Sequence, residues 1–290
     1  MIILENEPLK KHSYIRIGGP AKRFVHVDSH EDLVKIIKIE KDLGNPYYLI
    51  GEGSNILFSD NGYNGTIIKM TGISGVEISG NIVRVKAGTR LPELVQLLLS
   101  AGLSGMEQLC EIPGSVGGAV AGNAGAFGRE IGELFEEGVI VDHNGNLRRV
   151  TRDQLQFSYR TSRLKSYGVI IEATFRLVPS TPETIRKAIE EFKLRRREAQ
   201  PVGELTLGSV FKNPKGISAG YLLDRVGLKG YSIGGAKFSE KHANFIVNFN
   251  NAKAEDVISL IREGVNRVRN AFNIELETEI IMLEENSCFS

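Results

Sequence analysis

The sequence predicts an α+β fold in two parts, and three observations carry the prediction. The chain has 290 residues, more than one typical domain and enough for about two. Strand and helix signals intermix irregularly instead of alternating as strict strand–helix units, which sets aside a doubly wound parallel sheet. Pro179-Ser-Thr-Pro182 then interrupts the pattern and separates a longer first part, residues 1–180, from a smaller second part, residues 181–290.

The elements follow in order. Phe24, Val25 and Val27 predict a short strand. Ser29 with Asp32 three residues on is a capping signal. Leu33, Ile36, Ile37 and Leu43 recur at helical spacing behind it until Gly44 stops the run. Tyr47–Ile50 and Thr66–Met70 read as strands. Val76–Ile78 and Ile82–Val85 form a hairpin around Ser-Gly-Asn. Thr89, with Pro92 early in the run, opens an amphipathic helix carrying Leu94, Val95, Leu98 and Leu99 and ending at Gly102. Val139–Val141 and Leu147–Val150 flank Asn144-Gly145, a strong hairpin signal. Val169–Val178 is the last strand of the first part. The second part opens with a charged helix running to about Gln200 and continues with helices near Ala219–Val226 and Ala254–Phe272. Its strands lie near Phe245–Phe249 and Ile274–Leu283.

Composition excludes several classes of function. Hydrophobic residues at 41% and charged residues at 24% are ordinary for a globular chain. A net charge of +1 advertises neither a nucleic acid nor a membrane partner. The apolar stretch Leu91–Leu103 holds Pro92, Glu93 and Gln96 and is too short and polar to span a bilayer. No secretory leader is expected at Met1–Lys11. Cys110 and Cys288 stand far apart in no metal-ligand spacing, as in a reducing cytoplasm. Cys110 reads as a small buried residue, and the Lys193–Arg197 run as a solvated helix face.

Glycine is the outlier, with 32 residues, or about 11% against a usual 7%. Two clusters matter. Gly51-Glu52-Gly53-Ser54-Asn55 follows a strand, where converging backbone N–H groups suit a pyrophosphate. A plain tight turn is the competing reading of this segment alone. The dinucleotide fingerprint fails at Ile56, and no Gly-Lys-Ser/Thr exists for a P-loop. The second cluster, Ile112-Pro113-Gly114-Ser115 through Gly117, Gly118, Asn123, Gly125 and Ala126 to Gly128, holds six Gly and four Ala in seventeen uncharged residues. Such a tract lets main chain touch a large flat ligand, and it also serves close packing of two elements. Ser115 and Asn123 within it favour the ligand.

Three further segments carry chemistry. Phe157-Ser-Tyr159-Arg160-Thr161 offers a guanidinium able to grip a carboxylate, or else to make a surface ion pair. Gly208-Ser209-Val-Phe-Lys212-Asn213-Pro214 sets a hydroxyl on a glycine-led turn but lacks the nucleophile-elbow pattern. Glu279 lies in the predicted strand, sharing a face with Glu277 and Ile281, and burying it without a partner is costly.

In order, these segments resemble the UDP-N-acetylenolpyruvoylglucosamine reductase family in its shorter, second type. The landmarks are Tyr14–Pro20, Gly51–Asn55, Ile112–Gly128, Ser158–Arg160, Gly208–Pro214, Leu228–Gly230 and Leu276–Glu279. The resemblance implies an FAD-binding fold of the vanillyl-alcohol-oxidase type with two α+β subdomains, about residues 1–72 and 73–180, before a substrate domain. It implies NADPH as hydride donor and non-covalent FAD as carrier, with hydride passing to the enolpyruvyl methylene of a UDP-sugar during peptidoglycan precursor synthesis. It further implies Arg160 and Glu279 as stabilisers of the enol and Ser209 as its proton donor. The substrate contacts it implies are Tyr159, Lys212, Asn213, Lys229 and His242. The eight residues between Arg160 and Val169 leave no room for the other type's tyrosine-bearing insertion. Ile280-Ile281 departs from the Val-Arg that many members carry. A cytoplasmic monomer is expected. An FAD oxidase of the same fold and a non-catalytic nucleotide-sugar binder remain the alternatives, and intact Arg160, Ser209 and Glu279 weigh against the second.

Overall fold

The structure is a computed structural model that describes residues 1–287; Cys288 lies outside them. Strands β1 (Ile2–Pro8), β2 (Pro20–His26), β3 (Tyr47–Ile50), β4 (Ile56–Phe58) and β5 (Tyr63–Lys69) and helix α1 (His30–Asp42) make the first unit. Its sheet runs β1-β2-β5-β3, with β1 antiparallel to β2 and the other pairs parallel. Ser29 caps α1 through the Asp32 N–H as the sequence predicts. Because side chains alternate across a strand, one sheet face presents Val25, Leu49 and Ile68 to α1 and the neighbouring unit. The other face presents Phe24, Tyr48, Ile50 and Ile67 to Leu9, Phe58 and Tyr63.

The second unit holds β6 (Val76–Ser79), β7 (Ile82–Lys86), α2 (Leu91–Ala101), α3 (Val116–Ala121), a small hairpin of β8 (Gly125–Ala126) and β9 (Arg129–Glu130), then β10 (Phe135–Asp142), β11 (Leu147–Thr151) and β12 (Gly168–Arg176). Its antiparallel sheet runs β11-β10-β12-β7-β6. Both predicted hairpins are present. The Asn144-Gly145 turn is tied by the Asp142 carboxylate, which accepts the N–H groups of Asn144 and Asn146. Gly102 ends α2 in the left-handed conformation.

Helix α4 (Pro182–Ala199) follows. We expect it in the second part, yet its Ile185 and Ile189 are buried in the core of the first. The change of core therefore comes after Ala199, because Pro182 starts this helix at its N1 position and does not end the packed unit. The expected solvated face holds at Leu194, Arg195 and Arg197, which are exposed, but not at Lys193 and Arg196. Lys193 pairs with Glu111 at 3.7 Å, and Arg196 lies 5.7 Å over the Phe127 ring with burial lowering its pKa. Cys110 is a buried free thiol beside them.

The last unit comprises β13 (Thr206–Ser209), α5 (Ala219–Arg225), β14 (Ser232–Ile233), β15 (Ala236–Phe238), β16 (Phe245–Asn248) and α6 (Ala254–Phe272), with sheet order β13-β16-β15-β14. Residues 274–280 are not the predicted strand. Only β17 (Ile281–Leu283) is one, and it pairs in parallel with β4 of the first unit. Residues 277–279 make one antiparallel bridge, from Thr278 to Phe211, and of the two flanking carboxylates Glu277 is 75% exposed and Glu279 only 21%. Ile15, Ile17 and Leu57 enter this unit's core. Asp60 caps α6 from the first unit, its two carboxylate oxygens accepting the N–H groups of Ala254 and Glu255. Among the described residues no helix is long and apolar enough to cross a membrane.

Candidate active site

Two glycine-rich loops meet where the first two units touch. In the 51–55 loop, Gly53 has φ +71°, and a Cβ there would stand 1.9 Å from the His12 carbonyl oxygen. A Cβ on Gly51 would stand 2.2 Å from Ser115 Oγ. Only glycine permits this approach. Ser54 Oγ donates to the Pro113 carbonyl at 3.1 Å, joining the two loops. The backbone N–H groups of Gly51, Glu52, Gly53, Ser54, Gly114 and Ser115 have no acceptor among the described residues. Gly53 and Ser115 are buried, where N–H groups are normally paired, and with the four half-buried donors they give two touching loops N–H groups available to an anion such as a pyrophosphate. The donor set fits FAD.

The 112–128 tract is less open than its composition suggests. It coils into α3, where Ser115 accepts the Gly118 N–H as the N-cap, and Gly117 packs on Ala87. Asn123 is buried, and its side chain is taken up by protein groups: Nδ2 donates to Glu130 and to the Ser158 carbonyl, and Oδ1 accepts the Gly132 N–H. The polar side chains that favour a ligand in the sequence thus have protein partners. Main-chain donors are what the tract offers.

Arg160 lies at the tip of a turn closed by two hydrogen bonds between Ser158 and Thr161. Its Nε donates to Glu279 Oε1 at 2.8 Å, and Nη2 donates to the Gly125 carbonyl at 2.9 Å. Glu130 approaches Nη1 at 3.9 Å, and the Tyr159 ring lies 5.0 Å from the guanidinium carbon. Burial raises the Glu279 pKa, and the nearby Arg160 charge only partly opposes it. The Glu279 N–H donates to the Val210 carbonyl at 2.8 Å, which sets this carboxyl beside the residue following Ser209. Gly208 has φ +82°, and Ser209 Oγ has no hydrogen-bond partner among the described residues. Asn55 Nδ2 donates to the Glu279 carbonyl at 3.1 Å, so the first glycine loop and the catalytic candidates form one structure.

Residues 200–283 match the domain family described as UDP-N-acetylenolpyruvoylglucosamine reductase, C-terminal domain, and residues 21–151 match the FAD binding domain. A reductase of that name from Carboxydothermus hydrogenoformans is 43% identical over 285 residues, covering 98% of this chain and 94% of its own. The one from Clostridium botulinum is 39% identical over 287 residues, with the same coverage. The chain belongs to the UDP-N-acetylenolpyruvoylglucosamine reductase family. The crystal structure of that enzyme from Thermus caldophilus superposes with a TM-score of 0.84 at 35% identity, covering 97% of this chain and 98% of its own.

Against that family, the remaining candidates divide into two groups. Tyr159 and Asn213 meet, the Asn213 N–H donating to the Tyr159 hydroxyl at 3.2 Å, and Lys212 beside them pairs with Glu277. The Asn213 amide oxygen is taken by the Ala219 N–H. Lys229 pairs with Asp224, and His242 packs against Gly220 with its pKa lowered by burial and by Lys229. Among the described residues neither pairs with Arg160 or Glu279; His242 accepts the Asn244 N–H and lies edge-on to Phe245, the strand partner of Ser209. At the family departure, Ile280 is core and Ile281 begins β17. Glu130 is the residue that sequence reasoning missed. Its signal was a carboxylate just beyond an uncharged tract, facing a chain segment thirty residues on.

Proposed function

We propose that this chain catalyses its family's reaction: NADPH- and FAD-dependent reduction of the enolpyruvyl ether of UDP-N-acetylglucosamine to UDP-N-acetylmuramate, for peptidoglycan precursors. The observation that carries the reading is the Arg160–Glu279 pair, tied through Asn55 to the cradle of free N–H groups. When bound there, the flavin supplies hydride acceptance and delivery. The chain's own groups do the rest. The Arg160 guanidinium keeps Nη N–H groups for a substrate carboxylate, beside which negative charge develops, so its fixed position counts most in the transition state. Glu279, with Oε1 on Arg160, directs its other oxygen at the enol as a hydrogen-bond donor, a role that a raised pKa favours. Ser209 Oγ, without a hydrogen-bond partner among the described residues, delivers the proton that completes the reduced carbon. Tyr159, Lys212 and Asn213 flank the sugar nucleotide, and Lys229 and His242 border the outer end of that site. We place the enzyme in the cytoplasm as a monomer, a reading supported by its free thiol and nucleotide co-substrates and open to light scattering.

The test is a spectrum. The purified protein should be yellow, release its flavin in acid, bleach anaerobically with NADPH, and regain colour on addition of the enolpyruvyl substrate without oxygen. Flavin left on the acid precipitate, or colour regained with oxygen alone, would favour the oxidase. A colourless protein that cannot be reconstituted with FAD would end the reading.

A further inference from the structure

Arg160 has φ +57°, a conformation that costs a residue bearing a Cβ about 1–2 kcal/mol. Such a conformation persists only where its surroundings impose it. The turn's own two hydrogen bonds, both 3.1 Å, supply part of this. Its outer side is fastened to the end of α3, where Ser162 Oγ donates to the Ala121 carbonyl at 2.9 Å. The remaining part comes from Asn123, 1% exposed, whose Nδ2 donates at 2.9 Å to the Ser158 carbonyl and at 2.7 Å to Glu130 Oε2. Its Oδ1 accepts the Gly132 N–H at 3.0 Å, so the amide itself cannot rotate freely. Glu130's other oxygen stands 3.9 Å from Arg160 Nη1. One buried amide therefore holds both the peptide two residues before Arg160 and the carboxylate beside its guanidinium.

We infer that Asn123 and Glu130 are positioning residues for Arg160, fixing the backbone and the fork through which it meets the substrate carboxylate. The inference rests on the role proposed above for Arg160. Asparagine suits the post because its two N–H groups point at two oxygens. Aspartate would keep the Gly132 contact, lose both donations and set a carboxylate against Glu130. Glu130 supplies the second oxygen and a charge that turns the Nη1 edge towards it.

The experiment measures equilibrium binding to the oxidised holoenzyme, without NADPH, of the enolpyruvyl substrate and of UDP-N-acetylglucosamine, which lacks the carboxylate. The ratio of the two affinities reads the guanidinium's grip, and the second ligand reports general damage. N123D and E130A should each lower the ratio roughly 10-fold or more, as expected when a catalytic group is misplaced by about 1 Å. E130Q keeps an oxygen for Asn123 but loses the charge beside Nη1, so its ratio should fall by about threefold, less than that of E130A. A purely structural role would weaken both ligands equally and leave the ratio unchanged. Should N123D fail to retain flavin, the contrast between E130A and E130Q decides in the same way. Arg160→Lys separates the two claims. If it keeps the parental ratio, the reading of Arg160 fails; if it loses the ratio while N123D and E130A keep it, only the present inference is overturned.

Discussion

Replacing Glu279 by glutamine and by alanine separates two things the carboxyl can do. Its Oε1 accepts the Arg160 Nε–H at 2.8 Å, and both side chains are 21% exposed. At an effective dielectric of about 20 that contact is worth roughly 6 kcal/mol of gross attraction. Desolvation of both charges offsets most of it, and the raised pKa of Glu279 reflects that opposition. Glutamine keeps an oxygen for Arg160 and places an NH₂ where the second oxygen stood, imitating the protonated acid. Reduction of the enolpyruvyl substrate should then stay within about tenfold of parental for Glu279→Gln. It should fall about 10²–10³-fold for Glu279→Ala, the usual loss for one preorganised donor at developing negative charge. Stopped-flow measurement of the two half-reactions under anaerobic conditions provides the assay, with flavin reduction by NADPH as the internal reference. The pH profile adds a second check. The proton is retained above the ordinary 4.5, so the parental enzyme should lose substrate reduction as pH rises through that raised value, and Glu279→Gln should lack this limb. The sign for stability follows: a carboxyl that gains a proton on folding contributes stability below its unfolded pKa, and this is lost as pH rises through the folded one. A glutamine variant as slow as the alanine variant, or one that keeps the basic limb, would refute the neutral-donor role.

Two other variants probe separate parts of the site. Ser209→Ala should leave flavin reduction by NADPH near parental while turnover of the enolpyruvyl substrate drops by about 10²–10⁴, with Ser209→Cys recovering part of the loss; an alanine enzyme of near-parental kcat would end the proton-donor assignment. Gly53→Ala combines a left-handed φ with a Cβ 1.9 Å from the His12 oxygen, whereas Gly44→Ala meets nothing within 4 Å at φ +65°. Flavin content after gel filtration should therefore collapse for Gly53→Ala. For Gly44→Ala it should persist, with only about 1–2 kcal/mol of stability lost; equal flavin retention in the two would contradict the cradle.

Elements with local causes were legible in the sequence. Ser29 and Asp32 announced α1, Asn144-Gly145 its hairpin, and Gly102 the end of α2, because caps and turns depend on neighbours a few residues away. The glycine cluster at 51–55 was legible for the same reason. Long-range placement was not. Pro182 looked like a boundary, and only the core shows that Ile185 and Ile189 belong with what precedes them. The Lys193–Arg197 run is solvated at Leu194, Arg195 and Arg197, but Glu111 and Phe127, distant in sequence, take up Lys193 and Arg196. Period-two alternation made 274–280 a strand, but only Thr278 bridges to a neighbour, Phe211, and the unequal exposure of Glu277 and Glu279 depends on what packs beside them. Asn123 stood out as polar in an apolar tract, and its partners at Glu130 and Ser158 required the fold.

The pairing of Asn55 with Glu279 joins residues 224 positions apart in the chain, and β17 docks beside β4 across the same gap. Closing so long a loop has an entropic cost that local helices and hairpins avoid. On the ribosome, chain synthesis proceeds from the N-terminus and early domains fold first. The flavin cradle can thus form on the nascent chain well before the carboxyl that faces it has been made. Glu279 is made 224 residues after Asn55, so the loop waits for its partner through most of this span's synthesis. A truncation removing β17 should then give a chain that still binds flavin but no longer holds the Glu279 carboxyl in register.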